Sequence, residues 1–164
     1  MKKIITASLT LFLFLFIFSC NENPVSNFYP SDNSYRVTIK QGVWGNVWFW
    51  EGDFMPSPNG NNGGKITPVV RKIYIYEATP DSMVEPGGSS FFTSINSNFI
   101  TQIVSDRHGF FQIELPPGKY SFFVEENGQY YANEWDSEGD ILAAMVNENN
   151  VTKRQIDITY KAVY

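Results

Sequence analysis

The chain has one cysteine and one histidine in 164 residues. One cysteine excludes an intrachain disulfide. A dedicated zinc site needs three or four nitrogen, sulfur or carboxylate ligands at set spacings, which one His and one Cys do not supply. A nucleophile–base site needs a histidine oriented by a third group. His108 is the only histidine available, and it lies with Ser105 and Asp106 in a stretch that reads as an exposed turn. Basic residues are also few: 12 Lys and Arg stand against 17 Asp and Glu, a formal charge of −5. An acidic surface repels phosphate backbones, so nucleic acid is excluded as a partner. No run of like charge forms a tail. No window of useful length keeps a helical period, which excludes a bundle.

What is present begins with the export signal. Met1–Lys3 is basic, and Ile4 to Ser19 carries no charge and is dominated by "LFLFLFIF". That pattern is the n-region and h-region of a secretory signal. Its 16 residues are short for a spanning helix, which needs about 20. The run ends in Ile17-Phe18-Ser19-Cys20, which resembles the lipobox of bacterial lipoproteins. A small Ser19 lets a peptidase close on the Ser19–Cys20 bond. The Cys20 thiol then carries a diacylglyceryl group, and the new amino terminus takes a further palmitate-type chain. Each buried methylene contributes about 0.8 kcal/mol, so two or three chains hold the protein on the membrane.

The expected organisation is a signal peptide over 1–19, a lipidated cysteine and flexible tether over 20–34, and one folded domain over 35–164. Loss of Lys2 and Lys3 with the signal moves the formal charge from −5 to −7. The tether, "NENPVSNFYPSDNS", is rich in Asn, Ser and Pro. Beyond it the chain alternates apolar and polar residues at period two, the mark of half-buried strands. "YRVTIK" (35–40) and "VVRKIYIYE" (69–77) are such runs, the latter with Ile73 and Ile75 on one face and Tyr74 and Tyr76 on the other. "FITQIV" (99–104) and "QIDITYKAVY" (155–164) follow the same rule. "GVWGNVWFW" places Val43, Val47 and Phe49 on one face and Trp44, Asn46, Trp48 and Trp50 on the other. Gly42 and Gly45 suggest a bulge that could break this parity. Residues 55–64 and 79–90 read as loops, and "ILAAMV" (141–146) is ambiguous.

The stretch from Asp106 to Asn133 is the most legible. Asp106 and Gly109 hold the first and fourth positions of a type I turn, and Pro117-Gly118 suits a type II turn. Asn127-Gly128 is a strong signal for a two-residue type I′ hairpin. Between the turns, Phe111, Ile113 and Leu115 share one face, as do Tyr120, Phe122 and Val124. The fold class is therefore all-β, an antiparallel β-sandwich of about seven strands.

Ser105, Asp106, Gly109, Leu115, Pro116, Pro117, Gly118 and Tyr120, with "RKIYIYEAT" upstream, resemble the carboxypeptidase regulatory-like domain. The resemblance implies a transthyretin-like, or prealbumin-like, sandwich. Such domains accompany carboxypeptidases, outer-membrane receptors and sugar-degradation systems as accessory modules without catalytic residues. As a small lipoprotein the chain looks most like those of the Bacteroidetes phylum. Residues 79–98 look like an insertion, and the 42–54 stretch is more aromatic than the family's usual first strand.

The expected role is a non-catalytic cell-envelope lipoprotein with no cofactor, anchored to the outer membrane on its periplasmic or its surface side and presenting loops and a sheet face to a protein partner. The alternative is a carbohydrate-binding module that stacks sugars on Trp44, Trp48, Trp50, Tyr130, Tyr131 and Trp135, rings that otherwise fill the core. Asp136, Glu138 and Asp140 alternate around Gly139, an arrangement that calcium favours, though no glutamate follows at the twelfth position. Glu125 or Glu126 with Glu134 would be the carboxylate pair of a hydrolase, and reads equally as a solvated face.

Overall fold

A computed structural model describes residues 30, 32–56 and 63–164. The signal segment, Cys20 and most of the tether lie outside them. Among the described residues no helix is long and apolar enough to cross a membrane. The domain is the expected all-β sandwich. Its strands are β1 (Gly42–Asp53), β2 (Lys65–Pro68), β3 (Lys72–Glu77), β4 (Val84–Gly88), β5 (Phe91–Ile95), β6 (Phe99–Val104), β7 (Phe110–Ile113), β8 (Gly118–Glu126), β9 (Gln129–Tyr131), β10 (Ala143–Val146), β11 (Val151–Lys153) and β12 (Ile156–Val163).

The five-stranded sheet is organised around β1. β11 and β12 run parallel to it along one side, with Gly42 opposite Val151 and Val47 opposite Ile156. They keep one offset until it slips between Phe49 and Glu51. Along the other side, β7 and β2 lie end to end and antiparallel to β1. Gly45 stays in register opposite Phe111, so the parity of β1 is unbroken. Its glycine has another cause: a Cβ there would stand 1.8 Å from the Arg154 carbonyl oxygen.

The seven-stranded sheet runs β4-β5-β9-β8-β3-β6 and is antiparallel, with β10 also paired to β8. The inner faces bury Val43, Val47, Ile73, Ile75, Phe122, Val124, Ile156 and Ile158. Alternation at period two places each of these on the same side of its strand, and apolar burial at about 25 cal/mol per Å² drives the two sheets together.

Several local expectations change. Residues 35–40 do not pair as a strand: Ser34–Arg36 is a single 3-10 turn and Tyr35 is exposed. The folded part starts before Tyr35, because Asn33 is buried and donates from Nδ2 to Asn46 Oδ1 at 2.6 Å. The 79–90 loop contains β4, and β5 follows it. Pro116–Lys119 is not a type II turn, since Gly118 lacks the required positive φ and opens β8. Asn127 and Gly128, at φ 53° and 77°, form the expected left-handed pair. At Asp106–Gly109 the Gly109 N–H donates to the Asp106 carbonyl at 2.8 Å, and Asp106 Oδ1 accepts from the His108 and Phe110 N–H groups.

Candidate functional site

The outward face of the seven-stranded sheet carries the most distinctive side chains. Alternation along β3 sends Lys72, Tyr74 and Tyr76 outward, and along β8 it sends Phe123 and Glu125 outward. Tyr130 and Phe92 extend the row across β9 and β5. Their rings pack edge to face: Tyr74 with Tyr130 at 5.0 Å, Tyr76 with Phe99 at 5.4 Å and Phe92 with Phe123 at 5.8 Å between centroids. Each such pair contributes about 0.5–1.5 kcal/mol beyond burial. Phe123 and Tyr76 form a buried floor, Tyr74 and Tyr130 are half-buried, and Phe99 is 49% exposed at the rim.

Polar groups punctuate this face. Glu125 Oε2 accepts from Lys72 Nζ at 2.8 Å and from the Tyr74 hydroxyl at 2.7 Å. The Lys72 ammonium, then the Tyr74 hydroxyl, hold the Glu125 carboxyl below the ordinary range. Burial, and then the Tyr130 hydroxyl 3.4 Å away, push the Tyr76 phenol well above its ordinary value. The face is thus a neutral aromatic platform at ordinary pH, with one fixed ion pair. It suits a flat apolar or amphipathic partner surface.

The six aromatic residues named for sugar stacking do not form one surface. Trp44, Trp48 and Trp50 point from β1 to the outside of the other sheet, away from Tyr130. Trp44 and Trp48 are only 8% and 2% exposed. Trp44 packs against Phe110 and Lys153, and Pro30 and Pro68 lie in the hollows around Trp48. Segment 32–36 anchors beside them through Asn33, which explains why this tryptophan face is closed. Trp50 is half-buried and donates its indole N–H to Asp157 at 3.0 Å. Tyr131 is buried, and its hydroxyl accepts from the Thr159 N–H at 3.0 Å. Trp135 is 45% exposed but donates to Asp81 at 2.8 Å.

The Asp136-Ser137-Glu138-Gly139-Asp140 loop does gather its three carboxylates. A cation already stands among them: Lys119 Nζ is 2.5 Å from Asp136, 2.6 Å from Glu138 and 2.6 Å from Asp140. The loop is therefore satisfied by the chain's own ammonium. The other candidate groups are similarly engaged. Ser105 Oγ donates to the Val69 carbonyl and accepts from the Arg71 N–H, Asp106 pairs with Arg36, and His108 Nε2 accepts from Arg107. Glu126 pairs with Arg71 and Glu134 with Arg154. No cleft joins Glu125 or Glu126 to Glu134 in the described hollows.

The outward aromatic face was signalled by the alternation in "KIYIYE", which separates Tyr74 and Tyr76 from Ile73 and Ile75. What local pattern does not give is their assembly with Phe99, Phe92 and Tyr130, which requires strands distant in sequence. The chain matches no family model, no curated protein and no solved structure.

Proposed function

We propose that the protein is a non-catalytic, lipid-anchored binding module of the cell envelope, held on the outer membrane through Cys20 and engaging a protein partner with the outward face of its seven-stranded sheet. The observation that carries this reading is the continuous aromatic platform of Tyr74, Tyr76, Phe99 and Tyr130 beside the Lys72–Glu125 pair. Aromatic anchors flanked by fixed charge are what protein interfaces favour. The engagement of Glu126, Glu134 and Asp106 in ion pairs supports a binding role over a reactive one. The resemblance of residues 105–120 to the carboxypeptidase regulatory-like domain supports the same reading, as a fold-level analogy.

Two measurements test it. Cys20→Ala moves the chain from the membrane fraction to the soluble exported fraction; retention on the membrane refutes the anchor. A photoreactive residue at Phe99 gives a discrete protein adduct in the intact envelope, and one at Val163, away from the face, does not. Equal labelling from both sites refutes the binding face.

A glycan ligand is the second reading. It is favoured by a hollow of about 490 Å³ lined by Phe91, Tyr131, Tyr160 and Tyr164 together with Ser89, Ser90 and Thr159. Rings beside hydroxyl groups are a chemistry that sugars use. Intrinsic fluorescence titrated with envelope and dietary glycans tests it, and an unchanged spectrum with every glycan removes it.

A further inference from the structure

We propose that the open edge of β6 is a homodimerisation site, at which two copies of this chain pair β6 with β6 antiparallel and extend one sheet across both. The proposal is independent of what occupies the aromatic face.

An edge strand exposes unpaired N–H and C=O groups, and folded proteins protect such edges with charge, proline, bulges or brevity. The other edges of this sandwich carry these devices. β4 contains Glu85 and Pro86, and its register slips twice. β2 and β7 are four residues each, and β2 ends in Pro68. β12 carries Asp157 and Lys161, and the Tyr131 hydroxyl caps its Thr159 N–H. β6 is Phe-Ile-Thr-Gln-Ile-Val, six residues without charge or proline. It ends the sheet order beyond β3. Its one irregularity falls near its start, opposite Ile75 and Tyr76, and the rest of its register is even.

The side chains agree with an uncovered flank. Val104 is 61% exposed. Ile103 points toward the core yet is only half-buried, because among the described residues no strand lies beyond it. The Ser105 N–H donates to the Arg71 carbonyl, which sets the alternation. From there, Ile103 and Thr101 bond inward to β3, and the backbone groups of Gln102 and Val104 point out.

Those outward groups select a second copy as the occupant. An antiparallel pairing centred on Ile103 places Gln102 of each copy opposite Val104 of the other, giving two reciprocal pairs of backbone hydrogen bonds from the regular part of the strand. Ile103 meets Ile103 of the other copy, and each covers the other's half-buried flank. No like charges face each other along the strand. The same pairing brings the turn with exposed Arg107 toward the other copy's Asn98 end, where Glu77 is exposed, so the ends are complementary in charge. The two-fold axis of such a pair is perpendicular to the sheet, so both aromatic faces look the same way.

The test uses the full chain in the envelope of the producing cell. Gln102→Cys and Val104→Cys chains are produced together and oxidised mildly, with each single variant and the unsubstituted chain alongside. Both positions are exposed, so folding is retained. Directly opposed residues lie within disulfide reach and diagonal ones do not. The expected result is a linked dimer in the mixture and in none of the other three samples. The Gln102→Lys/Val104→Lys chain, which sets like charges opposite each other, halves the sedimentation mass of the extracted protein while its circular dichroism is unchanged. No link in the mixture, a link from either single variant, or a monomeric mass for the unsubstituted chain at every concentration overturns the proposal.

Discussion

Lys119 Nζ lies 2.5 Å from Asp136 and 2.6 Å from Asp140, so the loop from Asp136 to Asp140 is folded around a lysine of β8. Gly139 at φ 87° and the Asp136 side chain, which accepts the Glu138 and Asp140 N–H groups, give the loop its curvature. The Lys119 ammonium, and then the Asp140 N–H, lower the Asp136 carboxyl from 3.8 to about 2. A depressed carboxylate contributes stability that is present above its unfolded value and lost as pH falls through the folded one. The loop therefore tightens the fold above about pH 4, and that contribution disappears toward pH 2. Lys119→Met removes the acid-sensitive part and leaves three unneutralised carboxylates. Its melting temperature rises on adding calcium, whereas that of the parent does not. A calcium-induced rise of the same size in both proteins contradicts this account.

The closed tryptophan face depends on a short polar contact. Asn33 Nδ2 donates to Asn46 Oδ1 at 2.6 Å and to the His108 carbonyl at 3.2 Å. Asn46 is buried between Trp44 and Trp48 in the β1 sequence. Asn33→Ala leaves its amide without this partner, at a cost of about 1–3 kcal/mol. Denaturant unfolding measures the loss. Fluorescence shifts to the red as segment 32–36 lifts away from Trp44 and Trp48. An unshifted spectrum means that the tryptophans are covered by something other than this segment.

Two glycines separate steric from conformational need. At Gly45 a Cβ would meet the Arg154 carbonyl oxygen at 1.8 Å, between paired backbones that cannot yield independently. At Gly128 φ is +77° and nothing lies within 4 Å, so alanine meets only the left-handed penalty of about 1–2 kcal/mol. Gly45→Ala is the more damaging, because β1 must part from the β11–β12 ribbon to admit a methyl group. Thermal unfolding of the two variants ranks them, and a Gly128→Ala protein that melts lower than Gly45→Ala reverses the argument.

That contrast shows what the sequence could and could not tell. Asn127-Gly128 announced its hairpin because the turn chemistry is local. The alternation in residues 69–77, 99–104 and 155–164 placed β3, β6 and β12 for the same reason. Gly45 looked like a bulge, but its cause is a carbonyl more than a hundred residues away in sequence. The parallel pairing of β1 with β11 and β12 is non-local in the same sense. Residues 35–40 alternate like a strand, yet β1 already has partners on both sides and none is left for them. Parity sorted Trp44 and Trp48 correctly onto the face opposite Val43 and Val47. Which face was covered depended on Asn33, whose role no local pattern could show.

Glu126 is buried at the end of β8 and pairs with Arg71, while the Tyr160 hydroxyl donates to its other oxygen at 2.9 Å. Arg71→Met leaves that carboxylate buried and unpaired, which costs about 3 kcal/mol, the lower end expected for breaking a buried pair because Arg71 is partly solvated. Adding Glu126→Gln removes the stranded charge and recovers most of the loss. Chemical denaturation of the single and double variants measures the coupling. Additive losses show that the pair contributes nothing jointly.

Asp157 runs opposite to Asp136. Burial raises its carboxyl above the ordinary 3.8, and the hydrogen bonds from Trp50 Nε1 at 3.0 Å and Gln155 Nε2 at 2.7 Å only partly offset that. A carboxyl whose folded pKa is raised stabilises the fold fully below its unfolded value and loses that contribution as pH rises through the folded value. The domain is thus held back at neutral pH by a charge it has to bury. Asp157→Asn keeps an oxygen to accept from Trp50 and cannot ionise. Its melting temperature equals the parent's near pH 3 and exceeds it at pH 7. If instead the variant melts lower at pH 7, the ionised carboxylate is the form that the Trp50 indole and Gln155 amide were selected to hold.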